Sequence, residues 1–510
     1  MDTKALRQKI LDLAIRGKLV PQDPNDEPAS VLLEKIREQK QQMFKEGKLK
    51  KKDIKNDSII FKGEDNLHYE KFQDGTVKCI EDEIPFEVPE GWAWARLKHV
   101  CMMAAGKSKP TNQIKAEPFE GCYPCFGGNG IRGYVDEYNQ DGTFSIVGRQ
   151  GALCGNVNIA SGKFYATEHA VVTALFDGID FNWNNYALEA LQLNEYATGA
   201  AQPGLAVTNV LNVFIPVPPT HEQKQIGVKI TESIKTIEFI EQEKLNLQTV
   251  VTNAKSKILD LAIHGKLVPQ NPDDEPASVL LERIRAEKEE LIKQGKIKRD
   301  KKESVIFKGD DNSYYLNDSQ MTVDINDELP FEIPTSWCWV RLKDVFIINP
   351  RNKLEDNLNV SFIPMPLIDD GYNGKHTSEV RSWKEVKTGF THFAEGDIGI
   401  AKITPCFENR KSTVFINLTN GYGAGTTELH ILRPIGNSIL SQYLLAYLKS
   451  DYFVDNGKQT FTGAVGQQRI GKEYIENAYF PIPPKSEQGR IVQIINNLFK
   501  HLSIISDSFS

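Results

Sequence analysis

The sequence predicts a mixed α/β (α+β) protein in which two pseudo-twofold-related globular domains are separated by two long antiparallel coiled-coil helices. Three observations lead there: a long heptad-patterned stretch near the middle, an internal duplication, and chain ends that map beside each other within the duplicated helix.

The heptad stretch runs from Glu222 to Gly265. Ile230, Ile237, Val251 and Ile258 keep a seven-residue phase broken only by Lys244, and Ile240, Leu247, Ala254 and Leu261 follow three residues later. That is the a/d pattern of a coiled-coil seam. Pro218 and Pro219 stand before it with Thr220 as N-cap and Gln223 three residues on, while Gly265 and Pro269 end it. At about 1.5 Å per residue the helix spans roughly 65 Å, which suits a spacer better than a core helix. The alternative is an amphipathic helix packed on one domain.

Comparing the chain with itself gives the duplication. KILDLAIRGKLVPQDP (9–24) returns as KILDLAIHGKLVPQNP (257–272), and EPASVLLEKIR (27–37) as EPASVLLERIR (275–285), an offset of 248. After each copy comes a lysine-rich tract, Lys45 to Lys55 and Lys293 to Lys302, which reads first as a solvated helix end and second as a phosphate contact. IPFEVPEGWAWARL (84–97) is echoed by LPFEIPTSWCWVRL (329–342). These read as opening strands whose Trp92, Trp94, Trp337 and Trp339 anchor cores. Two glycine-rich segments, 98–213 and 343–478, then differ almost completely and suggest irregular α/β globules. FIPVPPTHEQKQI (214–226) and FPIPPKSEQGRI (480–491) close each half and lead into apolar-periodic helices.

Aligning Glu222 with Glu487 places Ser510 at position 245 of the central helix, and the offset of 248 places Met1 at 249. The C-terminal helix and residues 2–15 therefore reconstruct the central helix, cut once. The division that follows is 1–37 for the N-terminal part of the split helical region, 38–83 for a lysine-rich connector and 84–219 for the first variable domain. The helical spacer takes 220–285, the second connector 286–328, the second variable domain 329–484 and the terminal helix 485–510.

Composition bounds the function. A chain of 510 residues is too long for one core. No apolar run approaches the roughly 20 residues of a membrane span, and Met1 to Ile15 is unlike a signal peptide, so a cytoplasmic location is expected. Seven cysteines without a framework fit a reducing compartment. Cys122 and Cys125 form a CxxC that lacks the second pair a structural zinc site wants. A net charge of -7 requires any nucleic-acid contact to be local.

Two divergent segments, each opened by PFEVPEGW or PFEIPTSW, closed by PVPPTHEQ or PIPPKSEQ, and flanked by duplicated helices, resemble the specificity subunit of type I restriction-modification systems. GDIGIAKITPCFENRK (396–411) and GAVGQQRIGKEYIENAYFPIPP (463–484) are similar to that family's target-recognition domains. The resemblance implies that each variable domain reads one half of a bipartite, gapped double-stranded DNA sequence and that the helices fix the gap. It implies a non-catalytic chain on which two modification subunits, which methylate adenine at N6, and restriction subunits assemble. S-adenosylmethionine and ATP are then expected on those partners, with no cofactor or metal on this chain and no membrane contact.

Absent motifs agree with a chain that lacks chemistry of its own. There is no Asp-Pro-Pro-Tyr or Asn-Pro-Pro-Tyr, and no GxxxxGK[ST]. A GxGxxG at Gly128, Gly130 and Gly133 is followed by YVDEYNQDG, which does not open a helix, so it reads as a loop. His169, His392 and His430 read as core residues. DNA contact must come from loops. In the first domain Lys107, Lys109 and Lys115 lie in a Gly/Pro/Asn loop, and Arg132, Arg149 and Lys163 lie in Gly-flanked turns. Asn112, Gln113, Arg149 and Gln150 have base-edge chemistry. Arg149-Gln150 in GRQGALCG leads, although a structural role fits that motif equally well. In the second domain the candidates are Arg351, Lys353, Lys375, Asn409, Arg410, Lys411, Gln468, Arg469 and Lys472, with the lysines suited to phosphates. Taken singly each reads as solvated surface; the clusters carry the expectation. Both domains lack an excess of basic residues, so the chain alone should bind DNA weakly. A pseudo-symmetric scaffold that binds protein without DNA specificity is the competing reading.

Overall fold

A computed structural model describes residues 2–54, 57–151, 153–199, 203–299, 304–318, 321–464 and 466–508. Met1 and Ser510, the ends used in the helix reconstruction, and Lys55 and Lys302, the ends of the lysine tracts, lie outside the described residues. The chain forms two compact units, Met1–Glu243 and Lys244–Ser510. The division falls inside one continuous 44-residue helix, Thr220–Ile263, so each unit owns half of what the sequence presented as a separate spacer. Thr220 is the first residue of that helix rather than its N-cap, and the Gln223 side chain reaches back to donate to the Pro218 carbonyl at 2.9 Å.

The first unit starts with helices Thr3–Ile15 and Ala29–Lys45, followed by a small antiparallel sheet of β1 (Ser58–Lys62), β2 (His68–Phe72) and β3 (Val77–Cys79). The variable domain is enclosed by β4 (Ala93–Arg96), which pairs with β11 (Phe214–Val217) so that Trp94 faces Pro216 across the ladder. The opening and closing motifs are therefore neighbours in space. Between them lie β5 (Cys101–Ala105), β6 (Tyr123–Gly127), β7 (Gly130–Val135), β8 (Gln140–Gly148), β9 (Val157–Ala166) and β10 (Ala170–Leu175). They form one sheet in the order β5-β10-β8-β9-β6-β7. The GxGxxG glycines sit on the β6–β7 hairpin, with Gly130 at φ +94°.

The second unit repeats the small sheet as β12 (Ser304–Lys308), β13 (Tyr314–Asp318) and β14 (Thr322–Asp324), after helix Ala277–Lys293. β15 (Cys338–Arg341) pairs with a closing strand, Tyr479–Ile482, placing Trp339 opposite Pro481. Within this frame lie β16 (Phe346–Ile348), β17 (Asn359–Ile363), β18 (Glu379–Ser382), β19 (Thr391–Ala394), β20 (Ile398–Ala401), β21 (Ser412–Val414), β22 (Tyr422–Gly425) and β23 (Leu429–Pro434). The closing strand is β24. Two four-stranded sheets result, β16-β23-β20-β21 and β18-β17-β22-β19.

A common frame lies under two segments whose sequences do not align. β5, β8, β9 and β10 sit in the spatial order first-fourth-second-third, and β16, β20, β21 and β23 do the same. All pairings in both sets are antiparallel. The domains diverge in what is added: a hairpin on the edge of the first sheet, and a separate four-stranded sheet in the second.

Helices run antiparallel within each unit. In the first, Arg7 lies 4.0 Å from Glu238 while Gln22 meets Glu222 at 3.0 Å. In the second, Phe499 packs under the ammonium of Lys255 while Glu487 of helix Lys485–Ser508 meets Gln270 at 2.6 Å. The seam residues Ile230, Ile237 and Val251 are buried. All four opening-strand tryptophans are buried as well. Among the described residues no helix is long and apolar enough to cross a membrane.

The helix stop is set by a left-handed glycine in both copies. Gly17 and Gly265 have φ of +63° and +67°, and an added Cβ would come within 2.3 Å of Pro89 Cγ or 2.4 Å of Pro334 Cγ. Strain and collision add, so Gly265→Ala should cost about 2 kcal/mol and lower the unfolding midpoint. A midpoint unchanged in denaturant titration would show that the turn relaxes freely.

Candidate nucleic-acid interface

Arg149 and Gln150 follow the end of β8, Gln468 and Arg469 bond to the segment that follows β20, and the same backbone clip fixes both strand ends. In the first domain Arg149 N donates to His169 O at 2.9 Å, and Leu205 N donates to Arg149 O at 2.8 Å. Gly151 N bonds Pro203 O at 3.1 Å, and Thr198 and Gly204 exchange two bonds of 2.9 Å. In the second domain Lys402 N donates to Glu428 O at 3.0 Å, and Ile470 N donates to Lys402 O at 2.9 Å. Thr404 N bonds Gln468 O at 2.9 Å, and Thr462 and Arg469 exchange bonds of 3.1 and 2.9 Å. Gln150 thus faces Gly204 as Ile403 faces Arg469. The loops involved begin alike, Thr198-Gly199 and Thr462-Gly463, a signal present in the sequence but diluted by a one-residue difference in loop length.

In the first domain an open cleft of about 420 Å³ is lined by the β6–β7 glycines together with Arg132, Gln150 and His169. Gln150, which lines it, and its chain neighbour Arg149 are both exposed. His169, expected in the core, has a side chain 40% exposed and lines this cleft; only its backbone carbonyl is tied into the clip. Arg132 Nη2 donates to Thr111 Oγ1 at 2.8 Å, which ties β7 to the turn Thr111–Gln113 where Asn112 and Gln113 are exposed. Lys107 is also exposed. The glycines let backbone approach a phosphate without a side chain in between.

Two first-domain expectations are corrected. Lys109 is only 9% exposed; its ammonium pairs with Glu137 at 2.7 Å and Asp136 at 3.7 Å, and the hydrogen bond to Glu137 raises its pKa. It braces the loop from inside and is not available to a phosphate. Lys163 is exposed, its ammonium 4.7 Å from the Tyr138 ring, and its backbone stands opposite that of Asp141 at the far end of the β8–β9 ladder. Lys163 therefore lies within β9 and not in the Gly-flanked turn expected of it, with eight residues of strand, roughly 26 Å, between Asp141 and Arg149.

In the second domain a polar cleft of about 280 Å³ brings Arg351 to Lys402, His392 and Thr427. Lys402 was missed by the sequence reading although it lies in the quoted stretch GDIGIAKITPCFENRK. Arg351 donates to the Phe390 carbonyl at 3.0 Å; Lys353 and Lys375 are exposed. Arg469 forms a bidentate pair with Glu428 at 2.9 and 3.0 Å, and this bond holds the Glu428 carboxyl below its usual range. Gln468 is half-buried beside Thr404, and Lys472 pairs with Glu476 at 2.5 Å on helix Lys472–Asn477. His392 and His430 are buried, and desolvation lowers the pKa of both.

The Asn409 to Lys411 cluster is split by its own bonding. Asn409 is exposed. Arg410, at φ +56°, donates to the Lys449 carbonyl at 3.0 Å and pairs with Asp451. Lys411 donates to the Met365 and Ile368 carbonyls at 3.3 and 3.0 Å and its side chain is 15% exposed. Arg410 and Lys411 therefore fix this loop from within instead of presenting free cations.

Beneath the loop, Lys449 is buried and donates to the carbonyls of Gly371 and Arg410 at 2.6 and 2.7 Å. Desolvation lowers its pKa from 10.5 to about 7. In the unfolded chain it stays protonated up to its ordinary value, so its cost to folding is greatest below pH 7 and shrinks as pH rises from 7 toward 10.5. Denaturant titrations should show the wild type gaining stability relative to Lys449→Met between pH 6 and pH 9. A pH-independent difference would mean that the amine stays charged in the fold.

Residues 89–249 and 334–507, about two thirds of the chain, match the family described as type I restriction modification DNA specificity domain. The chain is 45% identical over 249 residues to the type I restriction enzyme EcoEI specificity subunit of Escherichia coli, a match covering 49% of this chain and 39% of that protein. It is 47% identical over 243 residues to the EcoAI specificity subunit of the same species, covering 48% of this chain and 38% of that one. The aligned part thus spans about two fifths of these relatives' length. A solved chain of a type I R-M system aligns over 83% of this chain and 94% of its own, at 16% identity and a TM-score of 0.49.

Proposed function

This chain belongs to the type I restriction modification DNA specificity domain family, and from that premise we propose that it reads a bipartite, gapped double-stranded DNA target and directs partner subunits to it. The observation that carries this reading is the repeated clip. Two units with the same four-strand order present the ends of β8 and β20 on the same hydrogen bonds, but with different side chains. A duplicated frame with non-duplicated contacts suits a reader of two unlike half-sites.

In this reading the chain is non-catalytic and cytoplasmic and binds no cofactor. Two modification subunits, using S-adenosylmethionine, methylate adenine at N6, and ATP belongs to the restriction subunits. The absence of an amino-methylation motif and of a P-loop in the sequence supports that division of labour. Exposed apolar side chains on the long helices, among them Val228 and Phe239 in the first unit and Ile504 and Ile505 in the second, support helix faces that partners cover. The first variable domain holds eight Lys/Arg against twelve Asp/Glu and the second sixteen against sixteen, so the partners must supply much of the phosphate contact.

Mapping adenine methylation in the host tests the proposal. The parent strain should carry a split, gapped motif that vanishes when the gene is deleted. A motif that survives the deletion would leave the chain as a protein-binding adaptor without DNA specificity.

A further inference from the structure

The clip makes two stretches comparable that sequence alignment leaves unrelated. Arg149 occupies in the first domain the position of Lys402 in the second, because each gives its N–H to the last strand of the four-stranded frame and its carbonyl to the closing loop. By the same bonds His169 corresponds to Glu428, and Gly204 to Arg469. Backbone geometry is shared at every one of these positions; side-chain type differs at each, and although Arg149 and Lys402 are both cations, charge differs between His169 and Glu428 and between Gly204 and Arg469. In a structural clip the opposite is expected, since residues that serve only to close a ladder have no reason to differ in charge and hydrogen-bonding type between two copies.

We propose that this clip is the specificity-determining element of each domain: Arg149, Gln150 and His169 select bases in one half-site, and Lys402 with the Glu428-held Arg469 selects bases in the other. The inference rests on the DNA-reading function proposed above. Strand ends pinned on both sides by backbone bonds hold a side chain more narrowly than a free loop does, which is what discrimination of a base edge needs. The two sets also differ in what they can recognise. Arg149 and Gln150 are exposed and unlike in donor pattern, one a fork of donors and the other a donor-acceptor pair suited to adenine. In the second domain Lys402 is a point donor, and Arg469 has Nε and Nη2 on the Glu428 carboxylate and Nη1 on the Gln467 carbonyl. Glu428 is therefore a positioning residue, acting through the orientation of Arg469.

The test is the methylated motif written in cells that contain the chain with its partner subunits. Lys402→Ala and Arg469→Ala should each change base preference in the same half of the motif, and Gln150→Ala and His169→Ala in the other half, by on the order of tenfold per affected base. Glu428→Gln, which keeps the shape but removes the charge that orients Arg469, should alter the same base as Arg469→Ala. An unchanged motif with Lys402→Ala and Arg469→Ala, or both halves altered together, overturns the proposal. So does a uniform loss of methylation by a variant that still co-purifies with its partners, since that is a loss of affinity without selectivity. If an alanine variant fails to co-purify, Lys402→Gln and Arg469→Lys are scored by the same criterion. Gene deletion separates the two levels: a motif that survives deletion removes the DNA-reading function itself, whereas a motif lost on deletion but untouched by these substitutions removes only the clip.

Discussion

Each unit is held together by a buried carboxylate in the first turn of a long helix. Glu222 accepts from Trp92 Nε1 at 2.9 Å and from Gln22 at 3.0 Å; Glu487 accepts from Trp337 Nε1 at 3.0 Å and from Gln270 at 2.6 Å. Three stretches far apart in sequence meet on one side chain: the opening strand, the turn after the duplicated helix, and the closing motif. Burial raises the pKa of both carboxyls, and the tryptophan and glutamine donors oppose that shift. The helix N-terminus adds favourable field. Loss of a donor would leave a buried acceptor unsatisfied, at a cost of about 1–3 kcal/mol. The triad explains why the tryptophan motifs, the GKLVPQ turns and the PxPP-x-x-EQ motifs recur together while the intervening segments vary.

That frame was legible because its signals are local or repeated. Heptad spacing identified the helix Thr220–Ile263, duplication identified the helix pairs, and proline-bounded aromatic runs identified β4 and β15. Ownership of the long helix was not legible, because the break in the seven-residue phase at Lys244 is a single polar position and Ile240 and Leu247 carry the second row across the division at Glu243. The shared order of four strands was hidden for a different reason. Ladder bonds use backbone atoms, so β8 and β20 can hold equivalent places without one aligned residue in common.

Candidate residues divide by the same logic. Residue type and turn context found Arg149, Gln150, Arg351 and Arg469, which do line clefts or clip strands. Residue type alone cannot show whether a cation has an internal partner. Lys109, Arg410 and Lys411 turn inward to carboxylates and carbonyls, while Lys402, in a stretch of apolar strand, turns out to line a cleft. The charge balance of each domain gave no hint of either, because paired and unpaired cations count alike.

Under the proposed function, each unit reads its own half of the target through one kind of frame. Exchanging residues 98–213 for the corresponding segment of a relative with a different target, and mapping the methylated motif written by the hybrid with its partners, tests this most directly. One half of the motif should change and the other half should stay as in the parent. A change in both halves would contradict separate readers built on a shared frame.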